Sequence, residues 1–524
     1  MCVTDTLYSQ FPARWLGTHI GSVVIQPRNV DAPGRFATAA VRYLHVPTHS
    51  VVTWSELDFQ PGQLVDSISI LESVRRLRQS PLYSEVLLAG TRCEGVDMTS
   101  FVLWTRDAWS LRGGVKLASV GPTRFSLAEL NLLGTGRTLA LAQELVEDRR
   151  SVSVSFSDPS LFGSRLRGTV VARKYDDGRA WNWGLRSRDL GPLDSWRFAF
   201  LSSQQRLVRD DTVTYTYNDI ERHRNTLMLS RRVLVDRLGV WAVVAGVESE
   251  RTNLSVFQPG PSIGRSEVYR EFTAPVLGVA RRSNTFRAVN WLVEGQAPSE
   301  VAVGIDGEVV VSIGHELNAD ARITHVDGWV GGTAMLGGNT IVTGDIWSSG
   351  YWSSDSVSNG TLRLSGALYR NAPGGMWILR AASERIYNPD PDVFALSTTD
   401  PLLRSLAPNA GRLAESALLL SVERAFHLYE HEGRWGLDGA LFASYSQRHG
   451  NVDPRADDPQ NLYAWIVGVG LRRVGNQATQ APVRIDVGRA VSHSPLLRDR
   501  WILVISTVPW INARRQRDGM REPR

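Results

Sequence analysis

The residues best suited to chemistry are His427, Glu430 and His431, which spell the pattern H-x-x-E-H. In a zinc hydrolase this spacing sets both imidazoles on one helical face, with the glutamate as general base. Here the pattern ends a segment with strand-like alternation and precedes Gly433. An extended chain would turn Glu430 away from both histidines. We therefore predict no catalytic zinc and no other metal site at this position.

Other candidate sites are weaker. Gly134 and Gly136 form a glycine pair that no βαβ unit follows, so they indicate a tight turn rather than a nucleotide site. Two cysteines, Cys2 and Cys93, build neither a disulfide framework nor a metal cluster. No Ser-His-Asp arrangement can be assembled from the sequence. We predict that the protein is not an enzyme and needs no cofactor. Paired carboxylates in turn-like clusters are interpreted as solvated loops: Asp176-Asp177, Asp210-Asp211 and Asp457-Asp458.

The composition favours a β-barrel over a helical membrane protein. The 524 residues are 43% hydrophobic and 21% charged, and apolar runs of about 18 residues are lacking. Alternating lipid-facing and lumen-facing residues would conceal a transmembrane barrel in such a composition, and 17 Trp could supply its interfacial girdles. The net charge of +5 is spread over the chain without a basic stripe, so no nucleic-acid partner is predicted.

Residues 20–112 have the pattern of a small mixed α/β domain after an N-terminal segment, residues 1–19. Asp66 can cap a helix in which Ile70, Val74 and Leu77 recur on one face, and Pro81 ends it. The other elements predicted here are helical character at Gly34–Leu44 and extended segments at Gly21–Gln26, Val51–Phe59, Val86–Leu88 and Met98–Thr105.

Residues 113–510 read as one long series of strands, and residues 511–524 as a polar tail. Segments with period-two alternation are separated by Gly, Asp, Asn and Pro clusters, as in hairpins. In one of them Trp465, Val467 and Val469 share a face. At roughly 25 residues per strand and connection, the series predicts about sixteen strands. A soluble β-sandwich array or a propeller is the alternative, although no fixed repeat supports a propeller.

The stretch Trp54–Leu111 resembles the last POTRA domain of the outer-membrane assembly and two-partner-secretion superfamily, which includes BamA-like and TamA-like factors. Residues 129–163 resemble the entry into the barrel of that family. The resemblance covers residues 50–165, and the matching motifs are Leu57-Asp58-Phe59, Pro61-Gly62, Leu71–Arg78, Thr105–Leu111, Glu129–Gly136 and Asp158–Gly163.

The resemblance implies a mainly β fold, namely one POTRA domain before a transmembrane antiparallel barrel. It implies an outer-membrane location with the POTRA domain in the periplasm, although residues 1–20 contain no signal-peptide core. The expected partners are an unfolded or extended client polypeptide, outer-membrane lipid and possible accessory periplasmic proteins, with the protein itself a monomer. The client would add to a POTRA sheet edge, and the candidate edge residues are Val52, Leu57, Phe59 and Val86.

The family also has an arginine on a long loop that folds into the lumen and an aspartate that faces it. The candidates here are Arg404, in Leu403–Leu406, and Asp438, with Glu423 on the strand between them. A confined Arg–Asp pair would fix the loop through charge-assisted hydrogen bonds. The function implied is insertion or export of a client. The alternatives are a porin-like or structural barrel with a vestigial POTRA domain and a barrel attached to a hydrolase system.

Overall fold

The computed structural model consists of a small N-terminal domain and a large barrel. No helix among the described residues is long and apolar enough to cross a membrane. The described residues are 2–7, 11–30, 45–118, 123–146, 149–188, 193–211, 216–236, 239–258, 264–289, 299–317, 321–353, 357–388, 414–431, 435–450, 460–475, 483–492 and 500–506.

The N-terminal domain is a four-stranded sheet with two helices. The sheet order is β1-β3-β4-β2, with β2 parallel to β4 and the other pairs antiparallel. The mixed α/β pattern of the sequence is therefore present, while the predicted helical stretch Gly34–Leu44 lies outside the described residues. The elements are β1 (Cys2–Leu7), β2 (His19–Arg28), α1 (Ser50–Ser55), α2 (Ser67–Gln79), β3 (Tyr83–Cys93) and β4 (Met98–Asp107).

Helix α2 forms as its sequence predicts. The Asp66 carboxylate caps its first turn by accepting hydrogen bonds from the backbone N–H groups of Ile68 and Ser69 at 3.2 and 2.9 Å. Ile70, Val74 and Leu77 are at most 1% exposed, because they form the face that packs on the sheet. The helix ends at Gln79.

An aromatic group fills the core beside this helix. The Trp15 ring meets Phe101 of β4 edge to face, with centroids 5.2 Å apart. Gly90 of β3 makes room for it, since a Cβ atom there would lie 2.6 Å from the indole. Residues 1–19, interpreted above as a separate segment, therefore contribute both Trp15 and the edge strand β1 to this domain.

Three expectations for this domain are wrong. Val51–Phe59 is not an extended segment, because Ser50–Ser55 is helical and only the following residues are irregular. Val86 does not offer a free edge, because β3 lies between β1 and β4 in the sheet and the Val86 carbonyl, beyond the last β1 pair at Leu88, accepts from Arg78 Nε at 3.2 Å. Cys2 and Cys93, given no structural role above, form a disulfide between β1 and β3, whose register places them opposite each other.

The barrel is a closed, antiparallel sheet in which neighbours in sequence are neighbours in space. Its strands are β5 (Leu111–Ala118), β6 (Thr123–Leu132), β7 (Arg137–Val146), β8 (Arg149–Asp158), β9 (Leu166–Tyr175), β10 (Gly178–Ser187), β11 (Trp196–Asp211), β12 (Thr216–Val235), β13 (Gly239–Gln258), β14 (Gly264–Ser283), β15 (Thr285–Val289), β16 (Ser299–Glu316), β17 (Ala321–Leu336), β18 (Thr340–Trp352), β19 (Val357–Ala372), β20 (Gly375–Tyr387), β21 (Ala414–His431), β22 (Trp435–Gly450), β23 (Gln460–Gly475), β24 (Val483–Ser492) and β25 (Arg500–Ser506).

The wall has about twenty strands rather than sixteen. Both β14 and β15 pair with β16 in one continuous register, so β15 prolongs β14 and does not add a position to the wall. The sequence estimate was too low because it assumed long connections. Two residues suffice between β9 and β10 and between β19 and β20.

Candidate functional site: domain contact, lumen and outer belt

Asp58 joins the N-terminal domain to the barrel. It lies just after α1, and its carboxylate is 8% exposed. Arg76 of α2 donates to it from within the domain. Arg165 and Arg188, from the β8–β9 and β10–β11 connections of the barrel, approach it at 3.1 and 3.3 Å. One carboxylate thus gathers cations from both parts of the chain.

Arg188 has further partners in the domain. Its guanidinium donates to the Ser55 carbonyl and lies 3.4 Å from the Glu56 carboxylate. Burial lowers the pKa of Arg188, and the Glu56 charge opposes that shift. Burial also raises the pKa of the nearby Asp194, and the Asp58 charge raises it further. The contact is therefore partly dry, where ion pairs are stronger than on an open surface.

The β6–β7 turn makes a second contact. Asn131, 3% exposed, donates from Nδ2 to the Thr48 hydroxyl at 2.9 Å and accepts from the Gly136 N–H at 2.8 Å. The Gly134 carbonyl accepts from the His49 N–H at 2.9 Å. Gly134 has φ +74°, and a Cβ atom there would meet the Pro47 carbonyl at 2.5 Å. The predicted tight turn is confirmed, and it is also a docking element.

A third contact reaches the other side of the barrel end. The Arg75 guanidinium of α2 lies 3.8 Å from the ring centroid of Phe286 in β15. With the contacts of Asp58 and Asn131, the domain therefore extends from the β6–β7 turn to β15. We call this end of the barrel the domain end and the opposite end the distal end.

The lumen is pinched by side chains. Arg197 of β11 and Glu308 of β16 form an ion pair at 3.1 Å, and both are buried. Their strands are four steps apart in the wall, or about 19 Å at roughly 4.8 Å per step. A round wall of twenty strands would hold them too far apart to touch. The barrel is thus flattened between β11 and β16.

A second network lies nearer the distal end and joins β12 and β13 to β17 and β18. Glu248 of β13 meets Arg224 at 2.6 Å and His325 Nδ1 of β17 at 2.9 Å. Glu250, two residues later, accepts from the Tyr351 hydroxyl of β18 at 2.5 Å. The Tyr351 ring stacks on His325 with centroids 4.5 Å apart. Through these contacts the inner face of β13 is joined to the inner faces of β17 and β18.

The residues predicted to fix a lumen loop are only partly brought together. Glu423 is 4% exposed and pairs with Arg472 of β23, with Arg484 of β24 at 3.9 Å. Asp438 faces inward near the domain end and accepts from His427 Nδ1 at 3.0 Å. Arg404 lies outside the described residues, so its pairing with Asp438 stays a prediction.

The candidate client-binding residues do not form an edge. Leu57, Phe59 and Val86 are at most 4% exposed, and all three belong to the domain core, with Val52 partly buried against it. The edges of the sheet are β1 and β2 instead. The sequence did not reveal the edge strands, because β1 is short and no obvious turn follows it. It also did not reveal that Asp58 contacts the barrel, because ion pairs between distant residues have no local sequence pattern.

The seam of the barrel joins β5 and β25. Within the described residues its ladder has three pairs, Lys116–Ser506, Leu117–Ile505 and Ala118–Val504. The next ladder, between β24 and β25, has seven. These pairs involve the end of β5 that is farther from the N-terminal domain, since β5 begins at Leu111, soon after β4.

The outer surface carries an apolar belt. On β23 the outward residues Trp465, Val467, Val469 and Leu471 are 47–61% exposed, which confirms the face that the sequence indicates. On β13 the outward residues from Trp241 to Val247 are apolar, and polar residues follow them toward the distal end. Six residues of strand cover about 20 Å. A contiguous apolar surface of this extent is typical of a site that contacts a membrane or another protein.

Neither family models nor curated proteins match this sequence. Among solved structures it is similar to BamA from Haemophilus ducreyi lacking POTRA domains 1–3, with 9% identity, a TM-score of 0.38, and 96% of this chain and 89% of that chain covered. It is similar to CdiB from Escherichia coli, with 10% identity, a TM-score of 0.45, and 96% and 80% covered. It is also similar to CdiB from Acinetobacter baumannii, with 11% identity, a TM-score of 0.40, and 96% of this chain and 77% of that chain covered.

Proposed function

We propose that this protein is an outer-membrane assembly or translocation protein that receives an extended client polypeptide at its N-terminal domain and inserts or exports it through the barrel. The observation that carries the proposal is the docking across one end of the barrel of a sheet domain whose outer strands, β1 and β2, each pair with a single strand among the described residues. The contacts of Asp58, Asn131 and Arg75 hold the domain there.

Support for a membrane location comes from the belt. Apolar side chains face outward at every second position of the strands, and aromatic residues such as Trp241 and Trp465 lie toward the borders of the belt. This is the arrangement of transmembrane β-barrels, whose apolar band is about 25 Å tall. The Cys2–Cys93 disulfide fits an oxidising compartment, so the domain end would face the periplasm.

The domain then acts as a POTRA-type receiver. A strand at a sheet edge can bind an extended peptide through main-chain hydrogen bonds. Among the described residues β2 pairs with β4 on one side, and on its other side only its start, at His19 and Ile20, meets the segment around Leu64. We assign client capture to the remainder of this outer edge, around Val24, in place of the residues expected from sequence.

The pinched lumen favours this function over a porin. The Arg197–Glu308 pair and the Glu248 network join strands three or four steps apart, which a round open pore would keep separate. These contacts occupy part of the lumen, so a client would pass beside them or after they open, or would leave sideways at the seam.

The proposal is tested with Lys116→Cys and Ser506→Cys, which stand opposite each other at the seam. Protein in lipid vesicles is supplied with an unfolded outer-membrane polypeptide, and insertion is followed by protease protection. We expect the oxidised variant to lose insertion and to regain it with reductant. The matched control places cysteines at Ala142 and Ser153, across the β7–β8 ladder, and wild type with reductant controls for Cys2–Cys93. If wild-type protein does not accelerate insertion over empty vesicles, the proposal is wrong.

Client capture is tested by a photo-cross-linking amino acid at Val24, which is 45% exposed. We expect adducts with the unfolded client at this position. The control is Val96, which is similarly exposed in the turn between β3 and β4. Equal labelling from both positions would reject the edge as the receiving site.

A further inference from the structure

Three tryptophans on the outer surface of the barrel each have an arginine over the ring. Arg231 lies 5.1 Å from the Trp196 centroid, and Arg281 lies 5.2 Å from that of Trp241. In each pair the arginine stands directly opposite the tryptophan on the neighbouring strand, so the strand register places the guanidinium over the ring. The third pair is Arg424 over Trp377 at 5.4 Å, on β21 and β20.

All three pairs lie at the domain end of the apolar belt. Trp241 is the third residue of β13, and the next outward residues are Val243, Ala245 and Val247. Trp377 is likewise the third residue of β20, which starts at the domain end. The pairs therefore lie along one border of the belt, on the outer face of strands at separate places around the barrel.

These arginines can be reached from outside the barrel. Arg231 is exposed, and Arg281 and Arg424 are partly exposed. Arg424 donates from Nη2 to the Pro373 carbonyl at 2.7 Å, an exposed contact. By contrast, the inward Arg197 and Arg472 lie against carboxylates.

We infer that the three Arg–Trp pairs bind the phosphate groups of phospholipids in the leaflet that faces the N-terminal domain. A phosphate supplies the charge and the acceptor oxygens that an arginine fork matches in two-point contacts. The indole is an amphipathic group that settles at the headgroup level. The inference rests on the membrane location proposed above, and it adds a specific lipid contact to it.

A further cation strengthens one site. Arg370 of β19 stands opposite Trp377 in the strand register and is exposed on the same face. Trp377 is therefore flanked by Arg370 on one side and Arg424 on the other. This site has two guanidinium groups for one phosphate, so we expect it to retain lipid most strongly.

The test measures retained lipid. Full-length protein in nanodiscs containing phosphatidylglycerol is released into native mass spectrometry, and bound lipids are counted. We expect Arg231→Gln, Arg281→Gln and Arg424→Gln each to lose one retained phosphatidylglycerol, and the triple variant to lose all three. The control, Arg251→Gln, removes an outward arginine on β13 beyond the belt and should change nothing.

A second measurement covers variants that fail to fold. In wild-type protein, lipids brominated near the headgroup should quench tryptophan fluorescence more than lipids brominated at the chain end. If the triple variant loses bound lipid but still inserts the client, the lipid sites are supported and the proposed function is not affected. Lipid retention equal to that of Arg251→Gln, or stronger quenching from the chain end, would overturn the inference.

Discussion

Arg197 and Glu308 form an ion pair inside the barrel at 3.1 Å, although four steps of wall separate their strands. Arg282 of β14 lies 3.3 Å from the same Glu308 carboxylate. One carboxylate is thus shared by guanidinium groups from two strands. The pair makes the lumen narrower than the strand count alone would allow.

Replacing Glu308 with Gln should destabilise the barrel and open it. The buried guanidinium of Arg197 and the partly buried one of Arg282 would lose the carboxylate they share, at a cost of about 3–5 kcal/mol. Urea unfolding and conductance in planar bilayers measure the two effects. The double variant Arg197→Gln with Glu308→Gln should be more stable than Glu308→Gln alone. If Glu308→Gln alone had the conductance of the wild type, the ion pair would not narrow the lumen.

Asp58→Asn should loosen the N-terminal domain without unfolding it. The substitution removes the negative charge that Arg165 and Arg188 approach from the barrel side. Limited proteolysis at the junction after β4 should become faster, while β3 and β4 keep their hydrogen-exchange protection. Glu85→Gln, in an exposed pair with Arg106 at 3.4 Å, is the matched control and should leave proteolysis unchanged.

Asp66→Ala should weaken α2 in a pH-dependent way. Burial alone would raise the pKa of Asp66, but hydrogen bonds from Ser69 and Ile68 outweigh it and lower that pKa. The cap is therefore fully effective above the ordinary carboxyl pKa and is lost as the pH falls through the folded-state value. Near neutral pH we expect a loss of about 1 kcal/mol, or about fivefold faster amide exchange in α2.

The control for this prediction is Asp66→Asn, because an amide oxygen can still cap the helix without a charge. It should lose less than Asp66→Ala and should show little pH dependence. Equal exchange in wild type and Asp66→Ala at neutral pH would show that the cap contributes nothing.

Reduction of Cys2–Cys93 should release β1 before the rest of the sheet. The bond closes a loop of 91 residues, and a cross-link of this length stabilises the folded domain by about 4.6 kcal/mol through the unfolded chain. After reduction we expect the largest increase in exchange for the amides of Cys2–Leu7, because β1 can then open locally, whereas the amides of β4 respond only to the lower global stability. Cys2→Ser with Cys93→Ser should behave like the reduced protein. Unchanged exchange in β1 would mean that its ladder with β3 is sufficient alone.

Local patterns account for what the sequence predicted. The face of Ile70, Val74 and Leu77, the cap at Asp66 and the alternation of Trp465, Val467 and Val469 all depend on neighbours a few residues away. Periodicity records which side of an element is apolar, and so the helix, the strands and the change from a mixed domain to a barrel could be predicted. The tight turn at Gly134 has the same local origin.

Long-range relationships could be decided only by the tertiary structure. The number of strands depends on connection lengths. A sheet edge depends on which strands have a single partner, as β1 and β2 do among the residues that the structure describes. Asp58, Glu308 and Trp377 have no distinctive sequence neighbours. Their roles arise because closure of the barrel and docking of the domain bring charges from distant strands together, and charge attraction depends on distance in space, not on separation along the chain.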